Sequence, residues 1–372
     1  MYGLKVDNFI INPKEEYEVF FAREAEFQRF FDDLVATMDS GRVPRYVVFG
    51  LFGVGKTHFL LHLRHKIGSR VDAFYVETPS CHRRTRFVDF YRAILSVIGR
   101  GTVMKLLTSG LKEHRRGLEL GLTEDVRYVI NNALSAKKHF VLWKWLMGEK
   151  LKASEAEELE AVRAELGDED AVSILNALAI LYEQMNRRAM LILVDEFENT
   201  AHIGGDAKTS FSEAMRSLVD ESSKVGVIFA LTSRALAEMP EPIDIEPVKR
   251  RIGITNYVSF REYTEDELER FIEQLIRYRR DSKFDFRKTL GDVRFSENMN
   301  ESTYPFTTEA VKQIVSSVIL FKEQNKTEAV RPKEVMELMD RALREAVTKK
   351  LQVISSDVIL GIRDQVVEAL KL

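Results

Sequence analysis

The chain reads as an α/β protein: a central parallel sheet that carries a helical insertion, followed by an all-helical C-terminal domain. Three observations predict this. Short apolar runs alternate with helical patterns, and their middles are apolar throughout, as in strands buried on both faces of a parallel sheet. From about 86 to 188 the pattern is almost entirely helical, and beyond 261 strand patterns cease. The 372 residues, 45% of them hydrophobic, suffice for two domains and a sizeable core. The sequence therefore predicts a core at 1–260, with an insertion at about 100–170, and a helical domain at 261–372.

Each element has a local reason. After an extended start, Pro13, Glu15 and Glu16 open a helical stretch, and Phe20, Phe27, Phe30, Phe31 and Leu34 mark its apolar face to about Thr37. Asp39-Ser40-Gly41 breaks that pattern, and Tyr46–Phe49 forms a buried-type strand that stops at Gly50. A helix follows from Lys56 to about Ile67, with Phe59, Leu60, Leu63 and Ile67 at helical spacing. Asp72–Pro79 is a second strand, ended by proline. Within the helical stretch Asp168 caps a helix carrying Ile174, Leu175, Leu178 and Leu181. Met190–Val194 and Val227–Leu231 are two further apolar strands, and Ile252–Phe260 is a fifth. Tyr263-Thr264-Glu265-Asp266-Glu267 starts the first helix of the C-terminal domain.

Composition excludes several classes. Fifty-five Lys and Arg against 58 Asp and Glu leave a net charge of −3, so any nucleic-acid site must be a local patch. A single cysteine, Cys81, excludes a disulfide framework and a cysteine-built zinc site. No run approaches the roughly 18 apolar residues of a membrane span. The first residues lack the basic start and apolar core of a signal peptide. The expectation is a cytoplasmic protein with no membrane partner.

The chemistry lies in two motifs. Gly50-Leu-Phe-Gly-Val-Gly-Lys-Thr57 fits G-x-x-x-x-G-K-[ST] between a strand and a helix. Its glycines let backbone N–H groups turn toward phosphate oxygens, and the helix N-terminus adds positive potential. Lys56 would reach the β- and γ-phosphates of ATP, and the Thr57 hydroxyl would hold Mg²⁺; Gly50, Gly53, Val54, Gly55 and His58 complete the expected cradle. Leu191-Ile-Leu-Val-Asp195-Glu196 is an apolar strand ending in two acids. Asp195 would bind Mg²⁺ through water, and Glu196 would deprotonate the attacking water. The next strand ends in Thr232-Ser233, where a polar side chain would help align that water; Ser233 is the first candidate and Thr232 the second. A simple strand-end turn is the alternative reading of that pair.

In this order the chain resembles the AAA+ P-loop ATPases. Within them it is similar to the branch containing the origin-recognition proteins and related ATPases of bacterial transposition and phage-defence loci. Phe20-Phe21-Ala22-Arg23-Glu24-Ala25-Glu26-Phe27 resembles that branch's nucleotide-flanking entry segment, with Ala22 where glycine is usual. Val248–Arg251, then Tyr263-Thr264 and Glu267-Leu268, resembles the passage from the arginine-finger region into the lid. Tyr304–Thr307 and Arg331–Val335 resemble the lid's closing helices, and Arg331 falls at the sensor-2 position. The resemblance implies ATP and Mg²⁺ bound between core and lid, a homo-oligomer, and an arginine reaching a neighbour's γ-phosphate. Arg250 or Arg251, just before a strand at the sheet's edge, is expected in that role; a solvated basic cluster is the alternative.

The chain also departs from the pattern. Thr57 and Asp195 stand 138 positions apart, which leaves room for the insertion. There, Trp143–Glu149 resembles a stretch in ATP-binding proteins of BREX-type phage defence, although both tryptophans would also serve simply to pack the insertion. Ser233 replaces the usual sensor-1 asparagine, and with so few residues after the lid no winged-helix domain is expected. Arg83, Arg84 and Arg86 follow the second strand and would touch the phosphates of double-stranded DNA without reading sequence; a solvated loop is the plainer reading. His58, His62 and His65 share a helix, but no acid or cysteine joins them as a metal site. The expected function is ATP hydrolysis coupled to assembly on, or remodelling of, DNA or a partner protein in a bacterial or archaeal defence or mobile-element system. The alternative is a slow-turnover ATP switch that recruits a protein effector.

Overall fold

The computed structural model describes residues 2–6, 8–113, 121–221, 224–291, 299–325 and 329–369. In chain order the first half holds α1 (Glu24–Asp39), β1 (Arg45–Gly50), α2 (Lys56–Ile67), β2 (Asp72–Glu77), α3 (Phe87–Ile98), α4 (Arg100–Glu113), α5 (Glu124–Ser135), α6 (His139–Leu146), α7 (Ala153–Leu159) and α8 (Asp168–Asn186). Then come β3 (Met190–Asp195), α9 (Asp206–Glu221), β4 (Val225–Thr232), α10 (Glu241–Asp244), α11 (Glu246–Ile252) and β5 (Tyr257–Phe260). The last stretch is α12 (Glu265–Arg279), α13 (Phe286–Gly291), α14 (Thr308–Asn325), α15 (Pro332–Thr348) and α16 (Ser356–Ala369).

The contacts gather the chain into two compact units, each discontinuous in sequence. One comprises Phe31–Phe49 and Leu63–Ser259; the other comprises Met1–Phe30, Gly50–His62 and Phe260–Leu372.

The first unit carries the sheet, in the order β2-β3-β4-β1-β5. β2 pairs parallel with β3, Asp72 opposite Met190 through Glu77 opposite Asp195, and β3 pairs parallel with β4. Every residue of β3 is buried, as the uninterrupted apolar run demands of a central strand covered on both faces. One apolar core joins Val47, Ile192 and Phe229 of the sheet to Phe87, Phe90 and Tyr91 of α3 and to Leu175 and Leu178 of α8. The same core extends into the insertion through Val129, Leu142 and Trp145. Trp145 is buried with its indole N–H on the Arg163 carbonyl at 3.2 Å, and Trp143 packs at the core's margin. Both tryptophans therefore pack the insertion. Residues 114–120 of the insertion lie outside the described residues.

The second unit has its own core, in which Phe9, Ile11 and Ala22 pack with Leu268, Ile272, Phe306, Val335 and Met339. Polar ties reinforce it: the Phe9 N–H donates to Asp340 at 3.3 Å, and Arg279 forks onto Glu16. This burial explains why the first thirty residues group by contact with helices more than 230 positions away, a grouping that a single cut at 260 does not express.

Two elements differ from the sequence expectation. The helix expected from Pro13 begins at Glu24, because Asn12 organises a turn with the N–H groups of Glu15 and Glu16, and Ala22 adopts φ +65°. The strand expected at 252–260 is only 257–260. Ile252 closes α11, Gly253 leaves it at φ +87°, and the Asn256 amide caps the Ile252 carbonyl at 2.8 Å.

Candidate functional site

The loop between β1 and α2 is shaped by its glycines. Gly53 and Gly55 sit at φ +83° and +99°, a region open to glycine at little cost. Gly50 has no room for a side chain, since a Cβ there would lie 2.3 Å from the Phe260 carbonyl oxygen. Val54 is fully buried and anchors the loop, while Phe52 stands exposed. Lys56 opens α2 and is itself buried; its ammonium donates to the carbonyls of Gly50 and Leu51, each at 2.9 Å. The positive charge is thus held inside the curve of the loop, at the N-terminus of a twelve-residue helix. Thr57 is half-buried in the first turn. The His58 ring is held edge-on to Phe20, close to the carbonyls of Val19 and Glu16, and burial lowers its pKa. His62 bonds the Tyr17 carbonyl at 2.8 Å, and no metal-holding group of three such side chains occurs among the described residues.

Residues of the same unit close on this loop. The stem of Arg331, the residue before α15, lies against Gly53: a Cβ on Gly53 would fall 2.4 Å from its Cδ. The Arg331 guanidinium is held by Glu334, Nε to Oε1 at 2.7 Å, and burial raises the Glu334 pKa. Arg23 is only 3% exposed, stacks 3.7 Å above the Tyr263 ring and donates to the Arg261 carbonyl at 2.6 Å. Its second nitrogen faces the Val54 carbonyl at 3.5 Å. Glu267, which caps α12 with Thr264, lies 4.0 Å from Arg23. In the sequence Arg23 and Tyr263 stand in the entry segment and at the start of the C-terminal domain, and their stacking is not encoded in either stretch. Ala22 explains why glycine is usual at its position, because φ +65° is a left-handed conformation.

The strand ends of the sheet unit carry the acids. Asp195, 3% exposed, ends β3 with both carboxylate oxygens engaged: Oδ1 accepts from the Glu196 N–H at 2.9 Å, and Oδ2 from the Tyr75 hydroxyl at 2.8 Å. Its carbonyl accepts from the Thr78 N–H and hydroxyl, at 2.9 and 2.7 Å. Glu196 stands exposed at φ +54°, a left-handed backbone worth about 1 kcal/mol of strain. Its pKa is raised by desolvation, then by the negative charges of Asp195, Glu77 and Glu198. At the end of β4 the Thr232 N–H donates to Glu198 at 3.0 Å. The Ser233 hydroxyl turns back to the Ala235 carbonyl at 2.7 Å and so serves its own turn.

Comparison with known proteins places this arrangement. The family model for an AAA ATPase domain matches residues 19–230, more than half of the chain and both motifs. The chain belongs to the AAA ATPase domain family. No curated protein matches it. Among solved structures, the Aeropyrum pernix ORC2 protein in its ADPNP–ADP complexes aligns at 13% identity with a TM-score of 0.52, over 92% of this chain and 67% of that one. The Aeropyrum pernix ORC1 protein in complex with DNA aligns at 14% identity and 0.45, over 94% and 66%. Drosophila ORC bound to DNA aligns at 13% and 0.45, over 94% and 63%. The AAA ATPase domain chain thus spans just under two thirds of the last two, and at these identities the likeness is one of fold.

The remaining candidates of this AAA ATPase domain fall on its surface. Arg250 and Arg251 occupy the last turn of α11, before the edge strand β5. Arg250 pairs with Glu246 at 2.9 Å and is 77% exposed; Arg251 pairs with Asp220 at 2.6 Å and is 60% exposed. The three arginines after β2 diverge. Arg86 pairs with Glu165, the stem of Arg83 lies against Gly204, and Arg84 is exposed. Cys81 donates to the Pro79 carbonyl and its pKa is raised by burial, the opposite of an activated thiol. Among the described residues no helix is long and apolar enough to cross a membrane.

Proposed function

We propose that this chain binds Mg·ATP and hydrolyses it, and that turnover is coupled to assembly on, or remodelling of, DNA or a partner protein. The observation that carries the reading is the loop after β1: two glycines at positive φ, and an ammonium held inside the loop at the start of α2. A side chain at Gly50 or Gly53 would run into the Phe260 carbonyl or the Arg331 stem, so glycine at both positions lets the loop keep this curve, and a backbone of this shape before a helix N-terminus suits phosphate oxygens. On this reading Lys56, Val54, Gly55 and the first turn of α2, with Thr57 and His58, would hold the triphosphate, and Arg331, whose stem lies against Gly53, would leave Glu334 to reach its γ end.

Thr57 and Asp195 each carry a hard oxygen donor of the kind magnesium prefers and would hold the ion on this reading. When bound, the ion neutralises charge that builds on the phosphate oxygens. Glu196 is our general base: its raised pKa makes it a better proton acceptor than an ordinary carboxylate, and Asp195, already held by two donors, keeps its own orientation. Arg250 or Arg251 would enter a neighbouring copy's site, which would make turnover depend on assembly. The exposure of both supports that role. A phage-defence setting is proposed on the resemblance of Trp143–Glu149 to BREX-type proteins, and a mobile-element setting on the resemblance to the branch that includes transposition ATPases.

Steady-state ATP hydrolysis against protein concentration, with and without double-stranded DNA, tests the reading. A rate per chain that rises with concentration, and again with DNA, is expected. A flat rate indifferent to DNA would sink the coupling and favour the effector-recruiting switch. Lys56→Ala should abolish binding of a fluorescent ATP analogue; retained affinity would refute the assigned cradle. Loss of concentration dependence in Arg250→Ala or Arg251→Ala would identify the residue that acts in trans.

A further inference from the structure

Tyr75 lies in β2 one residue pair short of the strand's end. The parallel register sets Tyr75 opposite Leu193 and Glu77 opposite Asp195. Side chains two positions apart on a strand share a face, so the Tyr75 ring reaches forward along the sheet to the acid at the end of the neighbouring strand. Its hydroxyl donates to Asp195 Oδ2 at 2.8 Å and lies 3.4 Å from Glu77. The Glu196 amide holds the other Asp195 oxygen at 2.9 Å. With one donor on each oxygen, the plane of a carboxylate that is only 3% exposed is defined, and a lone pair on each oxygen remains for a further partner.

We propose that Tyr75 is a positioning residue that orients the Asp195 carboxylate for the magnesium of Mg·ATP. The proposal rests on the ATP reading above and adds a residue that neither of the two motifs contains. The phenol acts through Asp195, as the outer partners of metal-bound carboxylates generally do, and loss of such a partner typically weakens metal binding about 10- to 100-fold. A tyrosine suits the task because it remains a donor. Burial and the negative charges of Asp195, Glu77 and Glu196 push its pKa up, so it keeps its proton across the physiological range.

The same chain contains a built-in control. At the other end of β2 the Tyr182 hydroxyl donates to Asp72 at 2.6 Å, the same phenol-to-carboxylate bond at the opposite edge of the sheet. Binding of N-methylanthraniloyl-ATP is measured against MgCl₂ concentration for wild type, Tyr75→Phe and Tyr182→Phe, with Mn²⁺ occupancy read in parallel by EPR. Thermal melts establish that both variants fold. Tyr75→Phe should raise the Mg²⁺ concentration at half-maximal binding by about 10-fold or more and leave binding without Mg²⁺ unchanged, while Tyr182→Phe should follow the wild type. A Tyr75→Phe titration that superimposes on the wild type would overturn the role of Tyr75 and leave the ATP reading standing. So would an equal shift in Tyr182→Phe, since the effect would then be general. A wild type that binds the nucleotide with no response to Mg²⁺ would overturn this proposal alone, whereas one that binds no nucleotide at any Mg²⁺ concentration would overturn the ATP reading, and this proposal with it.

Discussion

The two edges of the sheet carry opposite charge, and their charges are treated differently. At the edge where the strands begin, Arg42, Arg70, Arg187, Arg188 and Lys224 line a cavity of about 370 Å³ with Asp39 and Glu183. Most of these cations are paired: Arg188 with Asp72 at 2.9 Å, Arg70 with Asp39 at 3.5 Å, Lys224 with Glu183 at 2.9 Å. They follow the C-terminal ends of α1, α2, α8 and α9, where positive charge offsets the helix dipole, so the cluster has a structural cause. At the edge where the strands end, Glu77, Asp195, Glu196 and Glu198 crowd together, and the pKa of Glu196 is raised by desolvation first and then by these charges. One edge balances its charges and the other accumulates them. Accumulated like charge beside a left-handed backbone is the arrangement that the proposed role of Glu196 as a base calls for.

That contrast can be broken or sharpened by measurement. The largest effect should come from Glu196→Gln, which keeps nucleotide binding and loses turnover by about 10²- to 10⁴-fold. Wild-type turnover in this variant would remove Glu196 as the base. Asp195→Asn should come next, raising the magnesium requirement for nucleotide binding by about 10-fold or more; an unchanged Mg²⁺ titration would remove Asp195 from the metal.

At the opposite edge, Arg188→Ala should cost about 1 kcal/mol of stability, from a half-exposed ion pair and a bond to the Ser69 carbonyl, with turnover unchanged. Denaturant melts beside an ATPase assay would show it. A loss of turnover there, with stability intact, would erase the contrast between the edges.

The smallest effect is a pH shift. Glu196 must be ionised to accept a proton, and desolvation together with its acidic neighbours raises its pKa from the ordinary glutamate value, so the rate should rise with pH along a limb displaced upward from that value. Glu77→Gln removes one of the negative charges responsible. The acid limb of the rate profile should therefore move to lower pH, and an unmoved limb would mean that Glu77 does not act on the base.

How much of this was legible beforehand varies from element to element. The apolar run Leu191–Val194 can be nothing but a buried strand, and β3 is buried along its whole length. The glycine pattern of 50–57 foretold a loop that needs positive φ, since no other residue type adopts it so cheaply. The start of α12 was readable from Thr264 and Glu267, whose mutual bonds are local. Less legible was the segment before α1: its charges suggest a helix, but Ala22 at φ +65° and the turn at Asn12 end any helix there. The fifth strand was half misread, because hydrophobicity alone does not distinguish the last turn of α11 from the edge strand after Gly253.

The sequence by itself determined the alternation of strands and helices, the phosphate-type loop and the acids that end β3. Each of these depends on periodicity, backbone preference or near neighbours in the chain. Only the tertiary structure decided that Arg331 rests on Gly53, that Arg23 stacks on Tyr263, and that Tyr75 holds Asp195. Those contacts join residues from 120 to 278 positions apart, and burial and strand register bring them together. No local pattern encodes register, because it is set by which apolar faces must be covered at once.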